Sequence, residues 1–262
     1  KNLKIKSMKS LVKKILASRI LIFLRNNFHF KEVNFNFKNF ECTSVSDCFL
    51  WRTDNNFKTT FKFADILKLF HNINNSKVEI HFYTKDNEFI KKILFKNLNL
   101  SNEFIIDENL IGKKDYGVFY IYHFTNEQKI YESIIANRCY VGFSQNNNIN
   151  SFVHGNAFAK SRNINSQKKI EKNIINTTFF KKNIYKIQKS FKNYDKVELF
   201  FSNPTSKKLN ISLLNIDFSL AGGACKKLEL NNQNLIEIKS NCLFLRPTIF
   251  CYNDGYLDIH HS

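Results

Sequence analysis

From Phe28 onward the chain alternates. Phe28, Phe30, Val33, Phe35 and Phe37 are separated by polar residues, the period-two pattern of half-buried strands. Residues 57–63 alternate in the same way, and 64–70 fit either one helical turn or a continuation of that strand. Residues 78–83 and 89–95 flank Asp86-Asn87 and read as a hairpin. A short extended piece at 104–107 and a strongly β stretch at 116–123 follow. Residues 44–54 mix polar and aromatic side chains without a period, and this stretch, with the only Trp, reads as a loop. Further on, 197–201, 209–214, 228–230 and 235–238 have strand character. Short strands separated by turn signals, with no βαβ alternation, predict antiparallel sandwiches.

Helical periodicity is confined to residues 9–25. Leu11, Val12, Ile15, Leu16, Ile20 and Phe23 fall on one face, with Lys9, Lys13, Lys14 and Arg19 mostly off it. The segment is too short and too charged to span a bilayer. Two readings compete: a helix packed on the sheet behind it, or a peripheral helix on an anionic membrane with Ile22, Phe23 and Leu24 in the interface.

One pattern occurs twice. Residues 138–156 run strand, polar turn, strand and reach His154-Gly155-Asn156; residues 246–262 run the same way and end on His260-His261-Ser262. Arg138 lies near the start of the first hairpin and Arg246 near the start of the second. A further echo pairs Val78-Glu79 with Val197-Glu198. The expected architecture is therefore all-β: two tandem antiparallel β-sandwich units, immunoglobulin-like or jelly-roll-like, preceded by the amphipathic helix. The expected divisions are 1–27 for the helix, 28–158 for the first unit and 159–262 for the second. The Lys-, Asn- and Ser-rich stretch 157–183 serves as the connection.

Composition changes this picture little. With 43% hydrophobic residues, 28 of all residues being Phe, the chain can bury a core and favours strands. The formal charge of +18 invites a polyanion partner, but only six of the forty basic residues are Arg. Lys, Asn, Ile and Phe share A/T-rich codons, so codon drift accounts for the lysines. The scarcity of the residue that reads bases and phosphates bidentately argues against specific nucleic-acid binding. Cys42, Cys48, Cys139, Cys225, Cys242 and Cys251 show neither C-x-x-C nor zinc-finger spacing. They read as buried reduced thiols of a cytoplasmic protein, peripheral to the inner face of the membrane if the helix binds it. Met8 is a candidate start, which would leave residues 1–7 outside the native chain.

The candidate chemistry gathers at the hairpin tips. A histidine at a strand end next to Gly stands at a sheet rim, where ligands approach. If the two rims share a cleft, His154, His260, His261 and Asp258 supply ligands for a divalent metal or an acid–base pair, with His154 and His260 as the catalytic candidates. The plainer reading is that duplication alone explains the echo and the histidines cap strand ends. Arg138 and Arg246 are candidates for holding a carboxylate or phosphate, and Asn156 completes the first rim. Trp51-Arg52-Thr53-Asp54 resembles a sugar-binding rim, with an indole face for pyranose C–H groups and Arg52 for hydroxyls; a core Trp is the alternative. His81 and His123 sit in aromatic strands and read as satisfied histidines. The leading functional expectation is a non-catalytic binding or accessory protein acting on carbohydrate or cell-envelope material, without a cofactor. The alternatives are a metal-dependent or acid–base enzyme with a histidine-lined site between the units, and a structural subunit pairing through Phe-rich sheet faces.

Overall fold

The computed structural model describes residues 42–127, 134–137, 139–146, 148–164, 171–178, 183–187, 191–230, 235–243 and 245–261, together with 14, 15, 18–21, 24 and 33. The helix expected over 9–25, with its membrane reading, and the first strands expected over 28–37 lie mostly outside the described residues, as does Arg138. Among the described residues no helix is long and apolar enough to cross a membrane.

The fold is all-β and almost wholly antiparallel, as the alternation predicts. Among the described residues the first eleven strands are β1 (Thr43–Arg52), β2 (Phe57–Ala64), β3 (Lys77–Thr84), β4 (Phe89–Phe95), β5 (Ser101–Ile106), β6 (Tyr116–Phe124), β7 (Ile134–Ala136), β8 (Cys139–Gln145), β9 (Ser151–His154), β10 (Asn156–Asn163) and β11 (Lys172–Asn173). They form two sheets, ordered β11-β10-β1-β6-β3-β4, with β7 added beside β1, and β5-β2-β8-β9. Their inward faces share one core, in which Phe49 and Phe119 of the first sheet meet Phe61 of the second at 5.1 and 4.8 Å between ring centroids.

Between the described strands lie two short α-helices. The six-residue α1 (Ile66–His71) is capped at its start by Asp65, which accepts from the Lys68 amide, and ends on Asn72 in the left-handed region. The four-residue α2 (Glu108–Ile111) is capped in the same way by Asp107 and stops at Gly112.

The remaining strands are β12 (Asn183–Ile187), β13 (Lys196–Ser202), β14 (Leu209–Leu213), β15 (Ile216–Leu220), β16 (Cys225–Leu230), β17 (Ile236–Ser240), β18 (Thr248–Asn253) and β19 (Tyr256–His260). Their sheets run β12-β17-β14-β15 and β16-β13-β18-β19, around a second core that includes Leu199, Phe201, Leu213 and Ile238. Strand for strand, the first order repeats β1-β6-β3-β4 and the second repeats β5-β2-β8-β9. The hairpins β8–β9 and β18–β19 therefore hold the same place in their sheets.

The Val-Glu echo does not survive this comparison. Val78-Glu79 lies on β3, whose counterpart is β14, whereas Val197-Glu198 lies on β13, the counterpart of β2. Position 158, the expected division, falls within β10, which continues to Asn163 and pairs with the start of β1.

The stretch read as a loop is β1, a central strand buried along most of its length. Its first half pairs with β10 and β7 and its second half with β6, and a bulge around Asp47 marks the change. The two serines that spoil its hydrophobic pattern carry out that change. The Ser44 and Ser46 hydroxyls accept from the His123 and Ile121 amides at 2.9 Å each, replacing main-chain acceptors of β1 that pair elsewhere.

Trp51 needs one glycine. The indole Nε1–H donates to the Tyr83 carbonyl at 2.9 Å, and the ring lies over Gly117. A Cβ at Gly117 would meet the Tyr83 carbonyl oxygen and two indole atoms, so main chain as well as ring would have to give way. Gly117→Ala is expected to lower the unfolding free energy by about 1–3 kcal/mol, the usual cost of overpacking, read as a shifted denaturant midpoint with an unchanged slope.

Candidate functional site

Arg52 closes β1 by projecting into the seam between the two halves of the chain. Its guanidinium is wholly buried: Nη1 donates to Glu198 Oε2 at 2.5 Å and to the Tyr252 hydroxyl at 3.0 Å, and Nε donates to Asp54 Oδ1 at 2.6 Å. Phe57, Phe200 and Phe250 surround it, with its central carbon 3.9 to 5.0 Å from their ring centres. Glu198 receives further bonds from Tyr252 Oη at 2.7 Å and Lys196 Nζ at 2.9 Å. Burial by itself pushes the Glu198 carboxyl up, but Arg52, Tyr252 and Lys196 together hold it down at about 2. Trp51 is fully enclosed and Arg52 is committed to this pair, so neither side chain presents a free face at the surface. The sugar rim expected at 51–54 is thus an interface between the two halves. An indole in a core offers no free face, and a buried guanidinium is held by its carboxylate.

The two hairpins complete the seam. The Ile259 amide donates to Ser151 Oγ at 3.1 Å, which lays β19 along β9. The His261 ring stands between the His154 carbonyl, 2.6 Å from Nε2, and the Pro247 carbonyl, 3.3 Å from Nδ1. Burial lowers its pKa, against the pull of those two carbonyls. Asn156 donates through Nδ2 to the Arg246 carbonyl, while Asn156 Oδ1 and Arg246 Nε are buried without a hydrogen-bond partner. The structure thus brings Asn156 and Arg246 together, with His261 nearby.

It does not bring His154 and His260 together as ligands. His154 pairs across to Tyr140 and lies against its ring, with centroids 4.5 Å apart and planes tilted by 40°, on the solvent face of its sheet. His260 pairs across to Ile249, a core residue, and its Nε2 lies 3.7 Å from Cys251 Sγ. The two hairpins differ in register by one residue, which sends the matched histidines to opposite faces. Asp258 remains with its neighbours, 3.4 Å from His260 Nδ1 and 3.4 Å from the Tyr194 hydroxyl. Among the described residues no group of three or more His, Cys, Asp or Glu side chains is placed to hold a metal ion.

Beside and along the seam the surface sinks into three adjoining hollows of about 490, 560 and 680 Å³, the first lined by residues of the first half alone. Asn56 and Asn146 line both the first and the second; Gln145 and Tyr252 line both the second and the third. Asn55, Asn56 and Asn146 take left-handed backbone angles that their short amides tolerate. They also hold the turns together: Gln145 donates to the Asn55 carbonyl at 3.1 Å and Asn56 to Asn146 Oδ1 at 3.2 Å. The largest hollow lies between the turns β8–β9 and β18–β19. Gln145, Asn148, Asn150, Ser151, Tyr252 and Tyr256 line it with Ile149, Gly255 and Leu257, and none of these side chains carries a charge. The paired polar turns were visible in the repeat, whereas their convergence on one hollow was not.

A second ionic cluster also escaped the sequence reading. His81 stands between Glu171 and Glu79, its Nδ1 and Nε2 at 2.8 and 3.2 Å from their oxygens. Arg162 donates to Glu79 at 2.6 Å, and Lys160 to Glu171 at 3.1 Å. Burial pushes Glu171 up, but His81 and Lys160 pull it down to about 2. The cluster ties the connecting segment onto the outer face of the first sheet. His123 is a satisfied core histidine: its ring nitrogens meet Asn137 Oδ1 and the Ala64 carbonyl, and burial lowers its pKa.

No protein-family model matches the chain, and no curated protein matches it. Among solved structures, an anti-sigma factor domain-containing protein aligns over 83% of this chain and 80% of that chain at 8% identity, with a TM-score of 0.18. A likeness at that level carries no argument about fold or function.

Two outcomes follow from the seam's electrostatics. The Glu198 carboxyl titrates lower in the folded chain (about 2) than its ordinary 4.5, so it stabilises the fold above pH 4.5 and that contribution disappears as pH falls towards 2. Wild-type protein is expected to lose on the order of 2–3 kcal/mol more than Glu198→Gln across that window, read from urea unfolding at stepped pH. Asp47 behaves oppositely. Burial raises it to about 6 from 3.8 although Arg246 pulls it down, so ionising it opposes folding as pH climbs through that interval. Asp47→Asn is expected to raise the melting temperature at pH 8 and to leave it unchanged near pH 3.5.

Proposed function

We propose that this chain is a non-catalytic binding module of two tandem β-sandwich units that takes a neutral, polyhydroxylated ligand, a glycan chain, in the groove along its seam. The observation that carries this reading is the chemistry of the largest hollow. On a chain of formal charge +18, it is lined by amides, a hydroxyl and two tyrosines together with Ile149, Gly255 and Leu257, and by no charged side chain among the described residues. Amides both donate and accept, as sugar hydroxyls require. Tyr256, 80% exposed at the rim, offers a free ring for a pyranose face. A polyanion would find no cation in that hollow, which agrees with the few arginines. The reading keeps the carbohydrate expectation and moves its site from Trp51 to the paired turns.

Because Trp51 is enclosed, its fluorescence is the wrong reporter. The test is a screen of the full chain against immobilised neutral and charged glycans, followed by calorimetry on any hit. A neutral glycan is expected to bind, with affinity falling about tenfold or more in Tyr256→Ala. Binding restricted to sulfated or phosphorylated chains, or binding that Tyr256→Ala and Asn150→Ala leave intact, would overturn the reading.

A further inference from the structure

The repeat shows what covers one of its own faces. In the second half, the outward face of β16-β13-β18-β19 is not open: Phe200, Phe250 and Ile259 are buried and join the core of the first half. What covers them is one end of the first half. The Tyr116 ring at the start of β6 lies 5.1 Å from Phe200, Phe57 at the start of β2 lies 5.8 Å from Phe250, and the Lys85 carbonyl in the β3–β4 turn accepts from the Cys225 amide at 2.7 Å. Gly223 lets this approach happen, because a Cβ there would run into the Asn87 amide.

Each component of that contact has a counterpart elsewhere in the chain. The counterpart of the covered face is the outward face of β5-β2-β8-β9. There Ile105, Thr60, Gly142 and Phe152 form one row across the four strands, and Tyr140 stands beside them. The counterpart of the covering end is the end of the second half: Leu214 in the β14–β15 turn, Ile216 opening β15, and Leu235 immediately before β17. Ile105, Tyr140 and Phe152, and likewise Leu214, Ile216 and Leu235, are large apolar side chains left between 37 and 54% exposed. Leu214 is so placed despite a left-handed backbone (φ 53) that favours Gly, Asn or Asp.

We propose that the outward face of the first half receives the end of the second half of another copy of this chain, so that copies add head to tail. The face and the end are different surfaces, so the contact is heterologous and nothing in it closes a dimer. The contact inside one chain supplies its template. The partner follows from the repeat, since the end that covers such a face within the chain has its counterpart, by strand order, at the end of the second half. The inference does not depend on glycan binding.

The test is sedimentation equilibrium of the full chain from micromolar to about 1 mM, a range that captures weak association. The weight-average mass is expected to climb past that of a dimer, and to climb more steeply as salt rises and screens the repulsion between copies of charge +18. Two variants dissect the contact. Ile105→Lys/Tyr140→Lys spoils the face and Leu214→Asp/Leu235→Asp spoils the end, each checked for an unchanged unfolding midpoint. Alone, each is expected to stay monomeric; mixed, they retain one good face and one good end and should stop at a one-to-one dimer. A wild-type chain that remains monomeric throughout, an assembly that halts at a dimer, or variants that associate like wild type would each overturn the proposal. So would a mixture of the two variants that shows no dimer while both are folded.

Discussion

A buried guanidinium on one side of the seam and a buried carboxylate on the other determine how the two halves sit together. Arg52 and Glu198 are both removed from water, and neither can remain charged there without the other. Removing one member of such a pair typically costs about 3–5 kcal/mol, because the remaining charge stays enclosed. Two apolar surfaces can slide past each other at little cost, whereas an ion pair hemmed in by Phe57, Phe200 and Phe250 permits one register. Tyr252, Lys196 and Asp54 use the remaining donors and acceptors, so the pair is fully hydrogen-bonded as well as neutralised.

Fixing that register brings the two matching hairpins side by side. The Ile259–Ser151 bond and the His261 ring join strands that are edges in their own sheets, so two edges are protected by one contact. The polar turns at the hairpin tips then face each other across a hollow that belongs to neither half. An uncharged hollow thus arises on a highly charged chain through geometry rather than through a local motif.

The two halves have the same strand order and use it differently. One outward face carries Phe200 and Phe250 and is sealed; its counterpart alternates Lys58, Thr60 and Lys62 with only a few exposed apolar side chains. Burial against a permanent neighbour tolerates a run of aromatics. A face that is open for part of its lifetime must stay soluble, which is the balance seen around Tyr140.

The sequence alone was enough to fix the class of fold and the presence of a repeat. Alternation over 57–63, 78–83 and 116–123 fixes which side chains face a core, since period two is a local property of a strand. The hairpins at 138–156 and 246–262 were recognisable because a tight turn leaves a short, contiguous signature. What remained hidden depends on partners distant in the chain. Residues 44–54 looked like a loop because their serines bond to β6 rather than to water. The Val-Glu echo misled because two strands of like composition can occupy different places in a repeat. The histidines diverged because a shift of one residue in register reverses every side chain, and register is set by packing between strands. Trp51 and Arg52 read as a ligand rim because nothing local shows that Trp51 packs on Tyr83 and Gly117, or that Arg52 pairs with Glu198, 146 residues away. A linear pattern records which side chains can be buried, but only the closed structure decides what buries them.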